Sequence, residues 1–239
     1  MLLPLTVALA PCLFILWYFI HRDRYEPEPK GLIIKVFLLG ALMVIPAAVV
    51  EIGFSAAIGG AAAGLTAAFV ESFVVVAPVE EFLKRFVVRR WVYASQEFDE
   101  VMDGIVYTVA ASLGFAALEN VFYVIEHGLG VGIVRAFLSV PGHAFFGAVM
   151  GYSIGLAKFE KARESYHMTT GLLRAIFLHG LFNFLLLTRT VLALGVIVLI
   201  VGLGFAVRKN LRRAEAQSRS RLVEKGADPD QTSGPENLP

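Results

Sequence analysis

The sequence predicts an all-α, polytopic integral membrane protein: a helical bundle with about seven membrane-spanning helices and room for an eighth. Hydrophobic residues make up 57% of the 239-residue chain and charged residues only 17%. Soluble domains carry about 45–50% apolar and roughly 25% charged residues. The apolar residues also gather in stretches of about 20 residues, the length that spans a bilayer. Basic residues follow every second stretch.

Seven apolar stretches are predicted to cross the membrane. They cover residues 2–20, 31–52, 65–88, 102–125, 131–157, 171–187 and 191–207. The first lacks a basic N-terminal region and a small-residue cleavage site, which argues against a removed signal peptide. The Gly/Ala-rich residues 53–64 are predicted to form an external loop, with a re-entrant segment or an eighth, partial helix as alternatives.

The basic residues predict the orientation, because Lys and Arg gather on the cytoplasmic side of a membrane protein. They cluster within residues 22–30, 84–90, 158–163 and 208–213, while the alternate loops hold only Arg135 and Arg189. This alternation predicts an external N-terminus and a cytoplasmic C-terminus in a cell membrane. Residues 1–210 are predicted to form the membrane domain, with its functional core at 65–190. Residues 211–239 are predicted to be a disordered, polar cytoplasmic tail.

Two bulk properties exclude other classes of partner and site. The net charge of +1 gives no indication of a nucleic-acid partner. Cys12 is the only cysteine, which excludes an internal disulfide and any metal site built from cysteines. The predicted partners are the lipid bilayer and a substrate bound by polar residues within the membrane.

Ionisable residues lie inside several of these apolar stretches, although each costs at least about 2.5–3.5 kcal/mol to insert. In the third stretch, Glu80 and Glu81 precede Lys84 by four and three residues, spacings at which side chains meet on one helix face. Pro78 can kink the helix just before these acids. The other polar residues inside these stretches are Glu119 and Asn120 in the fourth, His143 in the fifth, and His179 and Asn183, one turn apart, in the sixth.

Three of these residues are predicted to lie at one depth. With about 1.5 Å of rise per residue, Glu80 lies roughly 16 Å from the inner boundary of its stretch. His143 lies about 18 Å from the outer face and His179 about 14 Å from the inner face. Three helices therefore bring their polar residues to one layer near the midplane. Glu119 is predicted to lie nearer the external side.

This set of side chains suits water-mediated hydrolysis. A carboxylate can take a proton from water, and a histidine can orient that water, bind a metal or protonate a leaving amine. An Asn amide or a second histidine can hydrogen-bond a developing oxyanion. His143, His179 and a glutamate such as Glu80 could also form a two-His, one-carboxylate zinc site. No Ser or Cys lies in a motif with a base, so a covalent nucleophile is not indicated. The residues do not determine whether this hydrolysis uses a zinc ion or no cofactor at all.

At these positions the chain resembles the PrsW family of intramembrane proteases, which is related to the type II CAAX prenyl endopeptidases and bacteriocin-processing proteins. The resemblance covers about residues 30–190. The matching motifs are Glu-Glu-x-x-Lys at Glu80, Glu81 and Lys84, Phe-x-x-x-Glu at Phe115 and Glu119, a helix with His143 before Phe146 and Gly147, and a final His179 with Asn183 four residues on.

The resemblance implies cleavage of a membrane-embedded or membrane-anchored protein. In the bacterial member that gives the family its name, the substrate is an anti-sigma factor, cut as the first step of a stress response. The resemblance also implies that Glu80 activates water, that His143 and His179 lie beside it, and that Asn183 assists the oxyanion. The prenyl endopeptidases have a histidine at the position of Glu119, so Glu119 is assigned to tuning Lys84 or a metal.

Two other classes of function compete with a peptidase. A proton- or ion-coupled transporter could use the same Glu, His and Lys residues as a relay, although the chain shows no internal repeat of the kind that carriers have. The second class is a scaffold that sequesters a partner helix without chemistry. Such a protein does not need a glutamate and two histidines at a common depth. For Glu81 with Lys84, a purely structural ion pair between helices is a further alternative.

Overall fold

The computed structural model describes residues 2–58, 64–226 and 228, and most of these residues are helical, with no strand among them. This confirms the predicted all-α class. The α-helices are α1 (Leu2–Arg22), α2 (Lys30–Leu42), α3 (Val44–Ile58), α4 (Gly64–Val70), α5 (Ala77–Trp91), α6 (Val101–His127), α7 (Leu129–Phe137), α8 (Ser139–Phe159), α9 (Glu164–Leu187) and α10 (Gly195–Glu224).

The shorter helices combine into longer ones, so the described residues form seven long helical units. Helices α2 and α3 are separated only by a turn at Met43, and α4 continues into α5 through a π-helical segment, Glu71–Val76. Six of the units are long and apolar enough to cross a membrane. The seventh, residues 64–91, carries the acids that the sequence singles out. Backbone groups have no water to bond in the bilayer, which is why apolar stretches of this length fold as helices.

Two boundaries differ from the predicted ones. Helix α3 extends to Ile58, so the predicted external loop is narrower, and its remaining residues, 59–63, lie outside the described residues. Helix α10 continues to Glu224, beyond the predicted boundary of the membrane domain at residue 210. One face of its distal half is buried against the bundle, which stabilises the longer helix. The buried residues on this face are Leu211, Ala214, Ser218 and Leu222. The rest of the predicted disordered tail falls on residues 227 and 229–239, outside the described part of the chain.

Helix α6 forms the centre of the bundle. Within its most apolar 18-residue window, 94% of the residues are buried, whereas no other candidate span exceeds 50%. It packs against α1, α2 and α8. Small residues permit this close approach: a Cβ at Gly151 of α8 would collide with the backbone of Gly104 and Ile105 on α6. Helix packing inside membranes relies on such small residues.

Pro78 lies at the start of α5, directly after the π-helical segment. Proline has no N–H and its ring clashes with the carbonyl four residues earlier, so a regular α-helix cannot pass through it unchanged. The wider π turn over Glu71–Val76 accommodates this irregularity. The regular helix α5, which carries Glu80 and Glu81, begins after this segment. The helix is therefore irregular just before the acids, as Pro78 predicted.

The contact between α6 and α8 predicts a specific destabilisation. Gly151→Ala places a methyl group against backbone that cannot move aside, and we expect a loss of about 1–3 kcal/mol of unfolding free energy. The midpoint of thermal unfolding in detergent, which falls by about 2–4 °C per kcal/mol in a chain of this size, measures it. Gly202→Ala in α10 is the control, because no atom lies within 4 Å of the added Cβ. Equal midpoints for both variants would contradict the close packing of α6 on α8.

Candidate active site

The buried ammonium group of Lys84 organises the polar residues of the third apolar stretch. Its Nζ donates to Glu80 Oε2 at 2.9 Å, to Glu81 Oε1 at 2.8 Å and to His143 Nδ1 at 3.0 Å. An ammonium has three N–H donors, and these three acceptors use all of them. The Lys84 side chain is 0% exposed and lies over the ring of Phe115 at 4.5 Å. We call these residues, with His179, the Lys84 cluster.

Helix α5 presents both acids to Lys84 because residues three and four apart lie on the same helix face. Glu80, Glu81 and Lys84 are all buried on this face. The opposite face carries Phe82 and Phe86, which are 50% and 43% exposed and suited to lipid contact. The polar face therefore turns into the bundle and the apolar face turns outward, the reverse of a helix in a soluble protein.

His179 enters the cluster from α9. Its Nδ1 hydrogen-bonds Glu81 Oε1 at 2.8 Å and lies 4.0 Å from Glu80 Oε2. Phe146 stacks on its imidazole ring, with 5.1 Å between centroids. Because Nδ1 is held by a carboxylate, Nε2 is the ring nitrogen left for a water, a substrate or a metal.

His143 enters from α8 with both ring nitrogens engaged. Its Nδ1 accepts from Lys84, and its Nε2 lies 3.1 Å from Glu119 Oε2. The two imidazole rings of His143 and His179 are 5.3 Å apart between centroids. This contact brings Glu119 to the Lys84 cluster through His143.

Arg135, on the short helix α7, binds Glu119 on the side of His143 that faces away from Lys84. Its Nη2 forms an ion pair with Glu119 Oε2 at 2.9 Å, and its Nε donates to Asn120 Oδ1 at 2.6 Å. The guanidinium also lies 3.9 Å from the centroid of the Tyr123 ring. From the sequence, Arg135 was interpreted only as a basic residue of an external loop. Its partners lie fifteen or so residues earlier on α6, and no periodic pattern links an arginine to them.

A cavity of about 650 Å³ opens beside these residues. Glu81 and Lys84 lie behind the cavity wall. Its polar lining consists of Glu51, Glu71, Ser72, Glu80, Glu119, Tyr123, Arg135, Ser139, His143, His179 and Asn183. Asn183 is one turn beyond His179 on α9 and faces the same space, as its spacing predicted. Glu51 and Glu71, which the sequence analysis did not place among the functional residues, also face this cavity.

The donor set fits a zinc ion in two respects. Ligand atoms of Glu80, His143 and His179 lie within 4.8 Å of one another, and two histidines with one carboxylate are typical zinc ligands. Each histidine also has a carboxylate beside its other nitrogen, Glu81 or Glu119, as metal-binding histidines usually do. The ammonium of Lys84 opposes this fit, because it already occupies His143 Nδ1 and Glu80 Oε2. A cation bound to those atoms requires Lys84 to move.

Within the described residues, the charges of the site do not cancel. Three carboxylates, Glu80, Glu81 and Glu119, face two permanent cations, Lys84 and Arg135. One negative charge remains at a place where an unpaired charge costs several kcal/mol. A proton or a bound cation can neutralise it.

A membrane-embedded helical bundle with a carboxylate, histidine and amide around one cavity has the make-up of an intramembrane peptidase. The family model described as "PrsW family intramembrane metalloprotease" matches residues 28–207. The chain belongs to the PrsW family of intramembrane proteases. It is a multi-pass membrane protein of the bacterial type.

Curated relatives agree with the family model. "Protease PrsW" of Geobacillus kaustophilus is 36% identical over 219 residues, covering 92% of this chain and 95% of the relative. "Protease PrsW" of Oceanobacillus iheyensis is 39% identical over 186 residues, covering 78% and 84%. That of Bacillus subtilis is 37% identical over 185 residues, covering 76% and 82%. No solved structure gives a significant match to the chain. These comparisons do not favour the alternative of a transporter.

The pairing of Arg135 with Glu119 predicts a coupled loss of stability. Arg135→Met leaves the half-buried carboxylate of Glu119 without its permanent cation, and we expect a loss of up to about 3–5 kcal/mol of unfolding free energy. Adding Glu119→Gln should recover part of that loss, because the unpaired charge is gone. Thermal unfolding of the two single variants and the double variant measures the coupling. The control is Arg174→Met, which removes an exposed arginine from α9. Additive effects of the two substitutions would contradict the pairing.

Proposed function

We propose that the chain is an endopeptidase that hydrolyses a peptide bond of a membrane-anchored protein, with a water molecule activated at Glu80. The observation that carries this proposal is the convergence of Glu80, His179 and Asn183 on one cavity within the bundle. A buried carboxylate next to a carboxylate-held histidine has the composition that general acid–base catalysis needs.

The reaction can be written with these side chains alone. Glu80 takes a proton from water as the oxygen attacks the carbonyl carbon of the scissile bond. The Asn183 amide and His179 hydrogen-bond the oxygen that becomes negative, where such donors are most effective. When the C–N bond breaks, the proton held by Glu80 passes to the leaving amine. The products are a carboxylate and an amine, and Glu80 returns to its ionised form.

The remaining residues of the site position these groups. Lys84 holds one oxygen of Glu80 and leaves the other for water. Glu81 fixes His179 through Nδ1, which orients Nε2 towards the cavity. Glu119 and Lys84 together fix the ring of His143. We assign Glu81 and Glu119 to positioning, and Glu80, His179 and Asn183 to direct contact with the reacting atoms.

A zinc ion is the cofactor that the donor set fits, with His143, His179 and Glu80 as its ligands. When bound, such an ion polarises a carbonyl and lowers the pKa of a bound water. With zinc bound, Glu80 would be a ligand of the ion, and without zinc it would be the general base that takes the proton from water. The two arrangements therefore differ in what removal of metal does to cleavage.

The side of the membrane from which the substrate enters follows from the residues that line the cavity. Glu51, Ile52 and Ala56 of α3, Glu71 at the end of α4, and Leu187 at the end of α9 surround it. The basic residues predict that all of these ends face outward. We propose that the scissile bond enters from the external side of the cell membrane. An anti-sigma factor of a stress response, anchored by one helix, is a substrate of the required kind.

The proposed chemistry predicts the loss of cleavage in two variants. Glu80→Gln removes the base and His179→Ala removes its neighbour, and each should lower the cleavage rate by about 100-fold or more. A membrane-anchored anti-sigma factor, reconstituted in vesicles with the purified full chain, reports cleavage on a gel. Glu126→Gln is the control, because Glu126 is exposed on the same helix as Glu119. Full cleavage activity in both site variants would contradict the peptidase proposal. A proton-coupled flux that disappears in both variants would instead favour a transporter.

Metal content gives an independent prediction. If zinc is the cofactor, purified protein holds about one zinc ion per chain and a chelator abolishes cleavage, because two histidines and a glutamate are a typical catalytic zinc set. His143→Ala should lose the ion, as measured by elemental analysis. Glu126→Gln again serves as the control and should retain it. Full cleavage by metal-free protein would show instead that Glu80 works unaided.

A further inference from the structure

A second group of buried acids lies away from the cavity, where the loop after α1 meets the start of α6. Asp23, Glu28, Glu100 and Asp103 form it, and their exposed fractions are 5% or less. We call these residues the acidic cluster. Ligand oxygens of Asp23, Glu28 and Asp103 lie within 4.8 Å of one another. Carboxylates that are brought this close inside a protein repel one another unless a positive charge lies between them.

Two of the acids are held in place by groups outside the cluster. Asp103 Oδ2 accepts the backbone N–H groups of Asp99 and Glu100, both at 2.7 Å. Glu28 Oε2 accepts the hydroxyl of Tyr107, which lies one turn beyond Asp103 on α6. The second oxygen of Asp103, Oδ1, is buried without a hydrogen-bond partner. Carboxylates oriented in this way by outer partners are characteristic of metal ligands.

Asp23 has no such partner. Its side chain is 2% exposed, and neither of its oxygens has a hydrogen-bond partner in the structure. An unpaired polar group in this setting usually indicates a missing water or ion. Asp23 therefore points its unsatisfied oxygens at the other two acids, and the group lacks a positively charged centre.

The nearby basic side chains are bound elsewhere. Arg22 forms an ion pair with Glu215 at 2.6 Å, and Lys225 pairs with Glu26 at 2.7 Å. Lys158 donates to the carbonyl oxygens of Tyr93 and Ser95. Among the described residues, no arginine or lysine is recorded in an ion pair with the acidic cluster, so we expect its neutralising charge to be a bound cation or protons.

We propose that Asp23, Glu28 and Asp103 bind a hard divalent cation, Ca²⁺ or Mg²⁺, which joins the loop after α1 to the start of α6. The ligands are all oxygens, as these ions require. A span of up to 4.8 Å between ligand oxygens is about twice a Ca²⁺–oxygen distance of roughly 2.3–2.6 Å. The site contains no nitrogen or sulfur donor, which distinguishes it from the Glu80, His143 and His179 set.

A route for the ion is present. A pocket of about 340 Å³ opens from the surface beside Glu28. Its other lining residues include Glu26, Glu97 and Asp99, so the entrance is acidic as well. An acidic entrance raises the local concentration of cations. The cation would reach Glu28 first and then the buried oxygens of Asp23 and Asp103.

The test is thermal unfolding of the purified full chain in detergent, first stripped with a chelator and then given CaCl₂ or MgCl₂. We expect the midpoint to rise by about 5 °C or more once the cation is about 100-fold above its dissociation constant. Asp23→Asn should abolish the shift. In chelator, the same variant should be at least as stable as the unsubstituted chain, because the amide removes one repelling charge. Glu97→Gln, at the pocket entrance, is the matched control and should keep the shift.

Terbium luminescence covers the case in which Asp23→Asn does not fold. Tb³⁺ replaces Ca²⁺ at oxygen sites, and Tyr107, bonded to Glu28, should sensitise its emission in the unsubstituted chain. Ca²⁺ should compete that emission away. A midpoint unmoved by both ions, an equal shift in Asp23→Asn, or no sensitised emission overturns the proposal and leaves protons as the neutralising charge. The shift should persist in Glu80→Gln, so this result is independent of the peptidase chemistry.

Discussion

The buried ammonium of Lys84 is the interaction on which the site depends. It binds two acids of its own helix and a histidine of α8, and one of those acids holds a histidine of α9. Hydrogen bonds to charged groups contribute about 1.5–3 kcal/mol each, and leaving one unmade costs more in a buried setting. In this packing every N–H of Lys84 has an acceptor, so a rearrangement of the helices that removes one acceptor leaves a buried donor unpaired. A single positive charge thereby fixes three helices relative to one another.

Much of this arrangement follows from the sequence. The spacing of Glu80, Glu81 and Lys84 places them on one face of a helix, and equal depth brings His143 and His179 to the same layer. Charges in a bilayer have to pair or face a cavity, so the candidate residues stand out against the apolar background. The same argument predicted that Asn183 lies near His179, because the two are one turn apart.

Glu119 and Arg135 show where that argument ends. The sequence predicts one helix over residues 131–157, but the chain turns at Leu138 and residues 129–137 form a separate short helix that packs against α6. Arg135 lies on this helix and contacts Glu119 and Asn120 of α6. Its pairing with Glu119 joins residues on different helices, and local periodicity carries no information about such contacts. The extent of α10 was also underestimated, because the polar composition of residues 211–224 hides a narrow apolar stripe that packs on the bundle.

The two buried clusters differ in how their charge is balanced, and α6 connects them. Around Lys84 the protein supplies its own cations, whereas in the acidic cluster the neighbouring arginines and lysines are paired with other groups. Asp103 lies in the first turn of α6 and Glu119 lies sixteen residues later, which corresponds to about 24 Å along the helix axis. Because α6 is buried on nearly all sides, it moves only together with its neighbours. Whatever neutralises Asp103 therefore acts at the first turn of the helix that carries Glu119 to His143.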